Sequence, residues 1–156
     1  MTGRLAVVVT ALAAAIAYAP ALPGAAAATC PTGMHPVTVA GRAGVKFCGP
    51  ASATVHLGSR TIRFSNGLCR RAAGAFTVNI GTFVPGLRSG KPTSFGITTH
   101  TARAGKQLNA AVGFAYGNRG YAVAEQVVVL ATGLTGGTFS GRVLGTTTRV
   151  TGSFEC

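Results

Sequence analysis

Four cysteines are the residues of this 156-residue chain whose chemistry is clearest: Cys30, Cys48, Cys69 and Cys156. An even number of cysteines in an exported chain is typical of disulfide bonds. The spacing allows three arrangements of two disulfides. A regular hairpin around Gly58-Ser59 would bring Cys48 opposite Cys69, although Gly and Pro would interrupt such long strands. Pairing Cys30 with Cys48 would tie down the tail, and pairing Cys69 with Cys156 would fix the last strand. We prefer this last arrangement.

Catalytic chemistry has little material here. The chain has no Asp, and its carboxylates are Glu125 and Glu155, so paired-carboxylate catalysis and carboxylate-rich metal sites are not predicted. We expect Glu125 to be a solvent-facing strand residue paired with an Arg. The histidines His35, His56 and His100 lack metal-ligand spacing, and no serine lies in a nucleophile elbow. We therefore predict a protein that is not an enzyme and uses no cofactor.

Positive charge is the second chemical feature, because 14 Lys and Arg face two acids and the formal net charge is +12. Such a field attracts anionic polymers, including teichoic or uronic acids, acidic lipids and nucleic acid. With three Tyr and no Trp, specific nucleic-acid binding by base stacking is not predicted. The cations chosen as candidate polymer contacts are Arg70, Arg71, Arg88, Lys91, Arg103, Lys106 and Arg119. They are scattered over loops, so we expect weak, salt-sensitive contacts.

The N-terminus predicts export. Residues 1–28 contain one cation, Arg4, then an apolar run and a stretch of small residues, which is typical of a secretory signal peptide. The apolar run is too short to cross a bilayer, and no later segment exceeds it, so no transmembrane segment is predicted. A lipid anchor on Cys30 is not expected, because Ala27 and Thr29 replace the usual aliphatic and small residues before a lipidated cysteine. We predict a secreted or cell-envelope protein.

Residues 29–156 are predicted to form a single β domain, an antiparallel β-sandwich or partly open barrel braced by disulfides. The basis is short alternating apolar runs separated by glycine-rich turns. One such turn is expected at 117–120, and a central strand at 122–131. The side chains expected to face inward are Val37, Val39, Val45, Phe47, Val55, Leu57, Ile62, Phe64, Phe76, Val78, Ile80, Phe95, Ile97, Val112, Phe114, Val123, Val127 and Val129.

The last two predicted strands mirror each other in sequence. The register that aligns like residues pairs Phe139 with Phe154, Gly141 with Gly152, and Val143 with Val150. The glycines indicate either close packing by a neighbouring aromatic ring or a sharp twist. In either case these glycines have a structural role, and the motif does not indicate a functional site.

Residues 58–81, GSRTIRFSNGLCRRAAGAFTVNIG, contain Cys69, an Ala-Ala-Gly turn at 72–74 and a closing Ile-Gly at 80–81. At this spacing they resemble the mycobacterial 19-kilodalton lipoprotein antigen family, and the end of the chain at Cys156 is similar too. The likeness is specific over these residues and loose over 49–156. It implies a surface-exposed β domain with a disulfide matching Cys69 to Cys156. It also implies an antigen or adhesin role without known catalysis.

The chain differs from that family in lacking a lipidation site and a Ser/Thr-rich linker, and in adding Cys30 and Cys48. We therefore expect a non-enzymatic bacterial envelope or surface protein, antigen-like or adhesin-like, that contacts anionic envelope polymers. The alternative is a secreted protein inhibitor or small-ligand carrier. A rigid, exposed loop such as 87–93, or an apolar pocket between the sheets, would favour that alternative.

Overall fold

The computed structural model describes residues 30–87 and 90–156. The predicted signal peptide, residues 1–28, and the candidate contact Arg88 lie outside the described residues. Within them the chain forms eleven β-strands and one short 3₁₀ turn, Thr132–Leu134. The strands are β1 Gly33–Val39, β2 Arg42–Cys48, β3 Ala51–Leu57, β4 Arg60–Ala72, β5 Ala75–Phe83, β6 Ser94–Thr99, β7 Gly105–Gln107, β8 Ala110–Tyr116, β9 Arg119–Leu130, β10 Gly136–Val143 and β11 Arg149–Glu155.

Eight of these strands close into an antiparallel barrel. Strands β3, β4, β5, β6, β8, β9, β10 and β11 follow one another around it, and β11 pairs with β3 to complete the ring. Strand β7 pairs with β9, and the β1–β2 hairpin extends the sheet by pairing with the end of β5. The predicted all-β antiparallel class is confirmed. Closure of the ring leaves no free sheet edge between β3 and β11.

Local sequence explains why neighbouring strands form hairpins. The two-residue loop Gly117-Asn118 joins β8 to β9, with Tyr116 opposite Arg119. Gly117 and Asn118 have φ angles of 57° and 66°, as a tight hairpin turn of type I′ requires. The hairpin turn predicted at 117–120 is therefore confirmed, and β9 is a central strand between β8 and β10, as predicted.

Side chains fill the interior of the barrel. Phe64 packs against Phe95 and Phe114 with ring centroids 5.5 and 6.3 Å apart, and Phe95 packs against Phe139 at 5.5 Å. Most predicted inward residues of the barrel strands are buried, from Val55 to Val123 along the chain. The predicted inward residues of β1 and β2 are only half-buried, because that hairpin lies outside the ring. These are Val37, Val39, Val45 and Phe47.

The inward prediction fails in β9 after Val123. Val128 is fully buried, whereas Val129 is 41% exposed and Val127 is half-buried. The cause is a bulge opposite the Ser140/Arg142 step of β10, where Glu125 has a φ of 52°. One extra residue in a strand moves every later side chain to the other face. The predicted inward positions Val127 and Val129 are therefore wrong.

The register predicted for β10 and β11 is also wrong. Phe139 lies opposite Gly152, and Phe154 lies opposite Gly137, so the strands are shifted by two residues from the alignment of like residues. A Cβ atom on Gly152 would lie 2.5 Å from Cζ of Phe139, and one on Gly137 would lie 2.7 Å from Cζ of Phe154. Each ring occupies the space above a glycine. Of the two glycines named in the prediction, Gly152 is covered by an aromatic ring, whereas Gly141 lies against Val123.

Two disulfides brace the barrel. Cys30 is joined to Cys48 with Cα atoms 5.8 Å apart, and Cys69 to Cys156 with Cα atoms 5.7 Å apart. The preferred pairing is confirmed. The second bond ties the C-terminus to β4, the strand next to the one that β11 pairs with.

Candidate functional site

Glu125 is positioned by the bulge in β9. Its Oε2 lies 3.6 Å from Nε of Arg142, and the two side chains are 71% and 58% exposed. The predicted pairing of Glu125 with an Arg at the surface is confirmed. An ion pair this exposed contributes little to stability. The main effect of the carboxylate is therefore to neutralise part of the positive charge of Arg142.

Arg142 and Arg149 lie directly opposite each other on β10 and β11. Both are exposed and flanked along their strands by inward residues such as Val150, so they share the outer face. Opposed side chains in an antiparallel pair have Cβ atoms about 5 Å apart, and like charges there repel. In the described part of the chain, Glu125 is the carboxylate within ion-pair distance of this arginine pair, and it contacts Arg142 but not Arg149.

These arginines line an open cleft of about 450 Å³ on the outer wall of the barrel. Its lining residues are Glu125, Ser140, Gly141, Arg142, Thr147 and Arg149. The cleft holds two guanidinium groups, two hydroxyl groups and one carboxylate. This composition suits a small oxyanion, since a guanidinium group presents a planar fork of donors to oxygen atoms.

The sequence prediction did not include Arg142 or Arg149. The register that aligns like residues would place Arg142 opposite Thr151, two positions from its true partner. No local signal in the sequence separates the two registers, because both keep the same side chains on the inner face. The loop between the strands is a compact turn that accommodates the observed register, in which Val143 N donates to Thr148 O and Thr146 Oγ1 accepts from Thr148 N.

The candidate polymer contacts lie at opposite ends of the barrel. Lys91 bridges to Asn118 beside Arg119 at the end with the β5–β6 and β8–β9 loops. The other four described candidates, Arg70, Arg71, Arg103 and Lys106, lie towards the opposite end, on β4 and on the segment between β6 and β8. Arg71 Nη2 donates to the carbonyl of Gly133 at 2.6 Å, so it also fixes the 3₁₀ turn. The structure brings these residues into no single site.

The histidines are likewise separate from one another. Nε2 of His35 donates to the carbonyl of Pro31 at 2.7 Å, and Nδ1 of His56 lies 3.1 Å from Oγ1 of Thr61. His35 does lie beside Cys30 and Cys48, with one possible ligand atom of each residue within 4.8 Å of the others. Sequence spacing alone did not predict this group. Both cysteines belong to a disulfide, so neither presents the thiolate that a metal ion needs.

A larger cavity of about 830 Å³ opens on another part of the barrel wall. Four of its lining residues are adjacent across β5, β6, β8 and β9: Asn79, Gly96, Gly113 and Ala122. Phe95 and Phe114, which alternate with the two glycines, are buried inside the barrel. This row therefore faces the outside, and small side chains leave the sheet backbone open along a groove.

Apolar residues form the sides of this groove. The apolar lining residues include Phe47 of β2, Phe83 of β5, Pro85 and Leu87. The Lys91 side chain lies against Gly120. Phe83 is 56% exposed. Leu87 and Lys91, which belong to the 87–93 segment, thus line an apolar groove. Val84, buried against Gly44 of β2, anchors this segment.

No protein-family model, curated protein or solved structure matches this chain. The class defined by the fold is a disulfide-braced, eight-stranded antiparallel barrel with a filled interior. The resemblance of residues 58–81 to the mycobacterial 19-kilodalton lipoprotein antigen family stays a prediction. In the described part of the chain, no helix has the length and hydropathy needed to cross a membrane.

Proposed function

We propose that this protein is a non-enzymatic, exported protein of the bacterial cell envelope that binds anionic polymers through the outer wall of its barrel. The observation that carries the proposal is an excess of outward cations on a barrel whose interior is full. In the interior, Phe95 packs against both Phe64 and Phe139. A ligand would therefore bind to the outer wall or to the loops. Without Arg4, which is removed with the predicted signal peptide, the formal net charge falls from +12 to +11, and such a charge selects a negatively charged partner.

The dispersed cations support long-range attraction over the whole surface. Arg119 and Lys106 lie at opposite ends of the barrel. A long polymer can contact both cations at once, whereas one small anion cannot. Attraction of this type releases counterions and weakens steeply with salt. The family resemblance implies an antigen-like or adhesin-like role, which is consistent with a protein that binds polymers of the cell envelope.

The test is to titrate purified protein, with both disulfides formed, against a defined anionic polymer and a neutral polysaccharide of similar length. We expect binding to the anionic polymer alone, with affinity falling at least tenfold between about 50 and 200 mM salt. Equal binding to the neutral polymer, or no binding at low salt, would contradict the proposal.

A second candidate function is carriage of a small apolar ligand, and the groove over Gly96 and Gly113 favours it. Its volume of about 830 Å³ falls within the range of roughly 300–1,000 Å³ typical of ligand pockets. Exposed Phe83 at its edge would otherwise lie in water. Lys91 lines the groove and is also a candidate polymer contact, so an uncharged apolar probe is needed to test this function separately from polymer binding.

A further inference from the structure

The opposed arginines of β10 and β11 are not explained by the fold. Arg142 and Arg149 face each other across the hairpin on the outer wall, where repulsion between like charges opposes strand pairing. Hydroxyl residues would be compatible with strand pairing at these positions. The next pair along the same face, Ser140 and Thr151, is of this type. The pair therefore concentrates positive charge at a position where the fold gains nothing from it.

Glu125 compensates for only part of this charge. Its carboxylate contacts Nε of Arg142 at 3.6 Å, and it is not within ion-pair distance of Arg149. The cleft thus keeps a net positive charge in the part of the chain that the structure describes. Arg149 is exposed and lines the cleft together with Thr147.

The backbone at Glu125 adds an independent observation. A non-glycine residue with φ of 52° is uncommon, and Gly or Asn would adopt this conformation more easily. Gly141 faces the bulge, and any Cβ there would lie 2.5 Å from Cγ1 of Val123. Strained conformations of this kind occur often at functional sites. Here the bulge holds a carboxylate beside the arginine pair.

We propose that the cleft between Arg142 and Arg149 binds a phosphate group of a phosphodiester-containing envelope polymer. In this site the two guanidinium groups donate to the two non-bridging oxygens of the phosphodiester, and the hydroxyls of Thr147 and Ser140 donate to the remaining lone pairs of the same oxygens. Glu125 acts as an internal competitor that occupies Arg142 when the site is empty. The proposal rests on the proposed function and names the chemical group recognised.

The chemistry of the cleft favours phosphate over carboxylate. A carboxylate has two oxygen atoms, which one guanidinium fork satisfies. The cleft presents two forks and two hydroxyls. A phosphodiester has two anionic non-bridging oxygens and two ester oxygens in a tetrahedral arrangement, so donors can approach it from several directions, whereas a carboxylate accepts mainly in one plane. No aromatic side chain lines the cleft, so stacking of a nucleic-acid base receives no support there.

The decisive experiment compares Arg149→Gln with Arg103→Gln. Both substitutions remove one exposed positive charge, but Arg103 lies at the opposite end of the barrel, before β7. The probes are poly(glycerol phosphate) and polygalacturonate, titrated at about 150 mM salt. For poly(glycerol phosphate) we expect Arg149→Gln to lose about tenfold or more in affinity and Arg103→Gln less than about threefold.

The Glu125→Gln substitution should change the affinity for poly(glycerol phosphate) in the opposite direction. It keeps the side-chain length and removes the competing negative charge, so affinity for poly(glycerol phosphate) should rise about threefold. Equal losses in the two arginine variants would overturn the phosphate site and leave diffuse polymer binding intact. Tighter binding of polygalacturonate would overturn the choice of phosphate. Absence of binding by the wild type at low salt would instead contradict the proposed function itself.

Discussion

Phe139 lies directly opposite Gly152 across the β10–β11 hairpin, and its ring fills the space that a side chain at position 152 would need. A Cβ atom at Gly152 would meet the ring at 2.5 Å and would also collide with the carbonyl of Thr54 on β3. This contact joins three strands at the seam where the barrel closes.

Replacing Gly152 with Ala should therefore destabilise the barrel. We expect a loss of about 1–3 kcal/mol in the free energy of unfolding, measured by chemical denaturation, because the core is already full. The matched control is Gly96→Ala, whose added Cβ would meet its nearest neighbour, Oδ1 of Asn79, at an ordinary 3.6 Å. Equal stability of the two variants would contradict the packing described for the seam.

The bulge at Glu125 predicts opposite results at two neighbouring valines. Val128→Ala should cost about 2 kcal/mol, because Val128 is fully buried and loses its apolar contacts. Val129→Ala should change the free energy of unfolding little, since that side chain is 41% exposed. Unbroken alternation from Val123 predicts the reverse order, so thermal denaturation of the two variants tests the bulge directly.

The two disulfides should contribute unequally to stability. Removing both cysteines of the Cys69–Cys156 bond, which spans 87 residues, should cost about 4–5 kcal/mol by the loop-entropy relation. Removing the Cys30–Cys48 bond, which spans 18 residues, should cost about 3 kcal/mol. Double Cys→Ala variants avoid free thiols and can be compared by denaturant titration. A larger loss for the shorter loop would contradict this account.

Export makes a prediction about covalent mass. The protein recovered from an expressing bacterium should begin at or near Thr29, carry no acyl chain and contain no free thiol, since all four cysteines are paired. Intact-mass spectrometry with and without a thiol-alkylating reagent measures all three properties. A diacylglycerol mass on Cys30 would contradict the predicted absence of a lipid anchor and would preclude its disulfide with Cys48.

The apolar groove can be tested by filling it. Gly96→Phe adds a ring to the outer wall at a position where a Cβ makes only ordinary van der Waals contacts, so the barrel should stay folded while the groove is blocked. We expect fluorescence of an environment-sensitive apolar dye, if it binds the wild type, to fall at least several-fold in this variant. Gly96→Ala is the control that keeps the groove open. Unchanged dye binding in Gly96→Phe would exclude the groove as the ligand site.

The sequence alone predicted the strands and the two disulfides of this protein, because alternation, turn residues and the number of cysteines are local or compositional signals. Runs such as 76–80 alternate with period two, and Gly117-Asn118 fits a hairpin turn. The same signals predicted that Glu125 lies at the surface beside an arginine. Closure of the barrel was not predicted, since it depends on pairing between β3 and β11, which are far apart in the chain.

Tertiary structure decided the register, and the register decided the candidate site. A shift of two residues keeps every side chain of a strand on the same face, so burial of Phe139 and Phe154 is satisfied equally by the predicted and the observed pairings. Packing of each ring over a glycine selects the observed one, and that choice places Arg142 opposite Arg149. Local periodicity carries no information on this choice, because the space above a glycine exists only once the strands are paired and the barrel is closed.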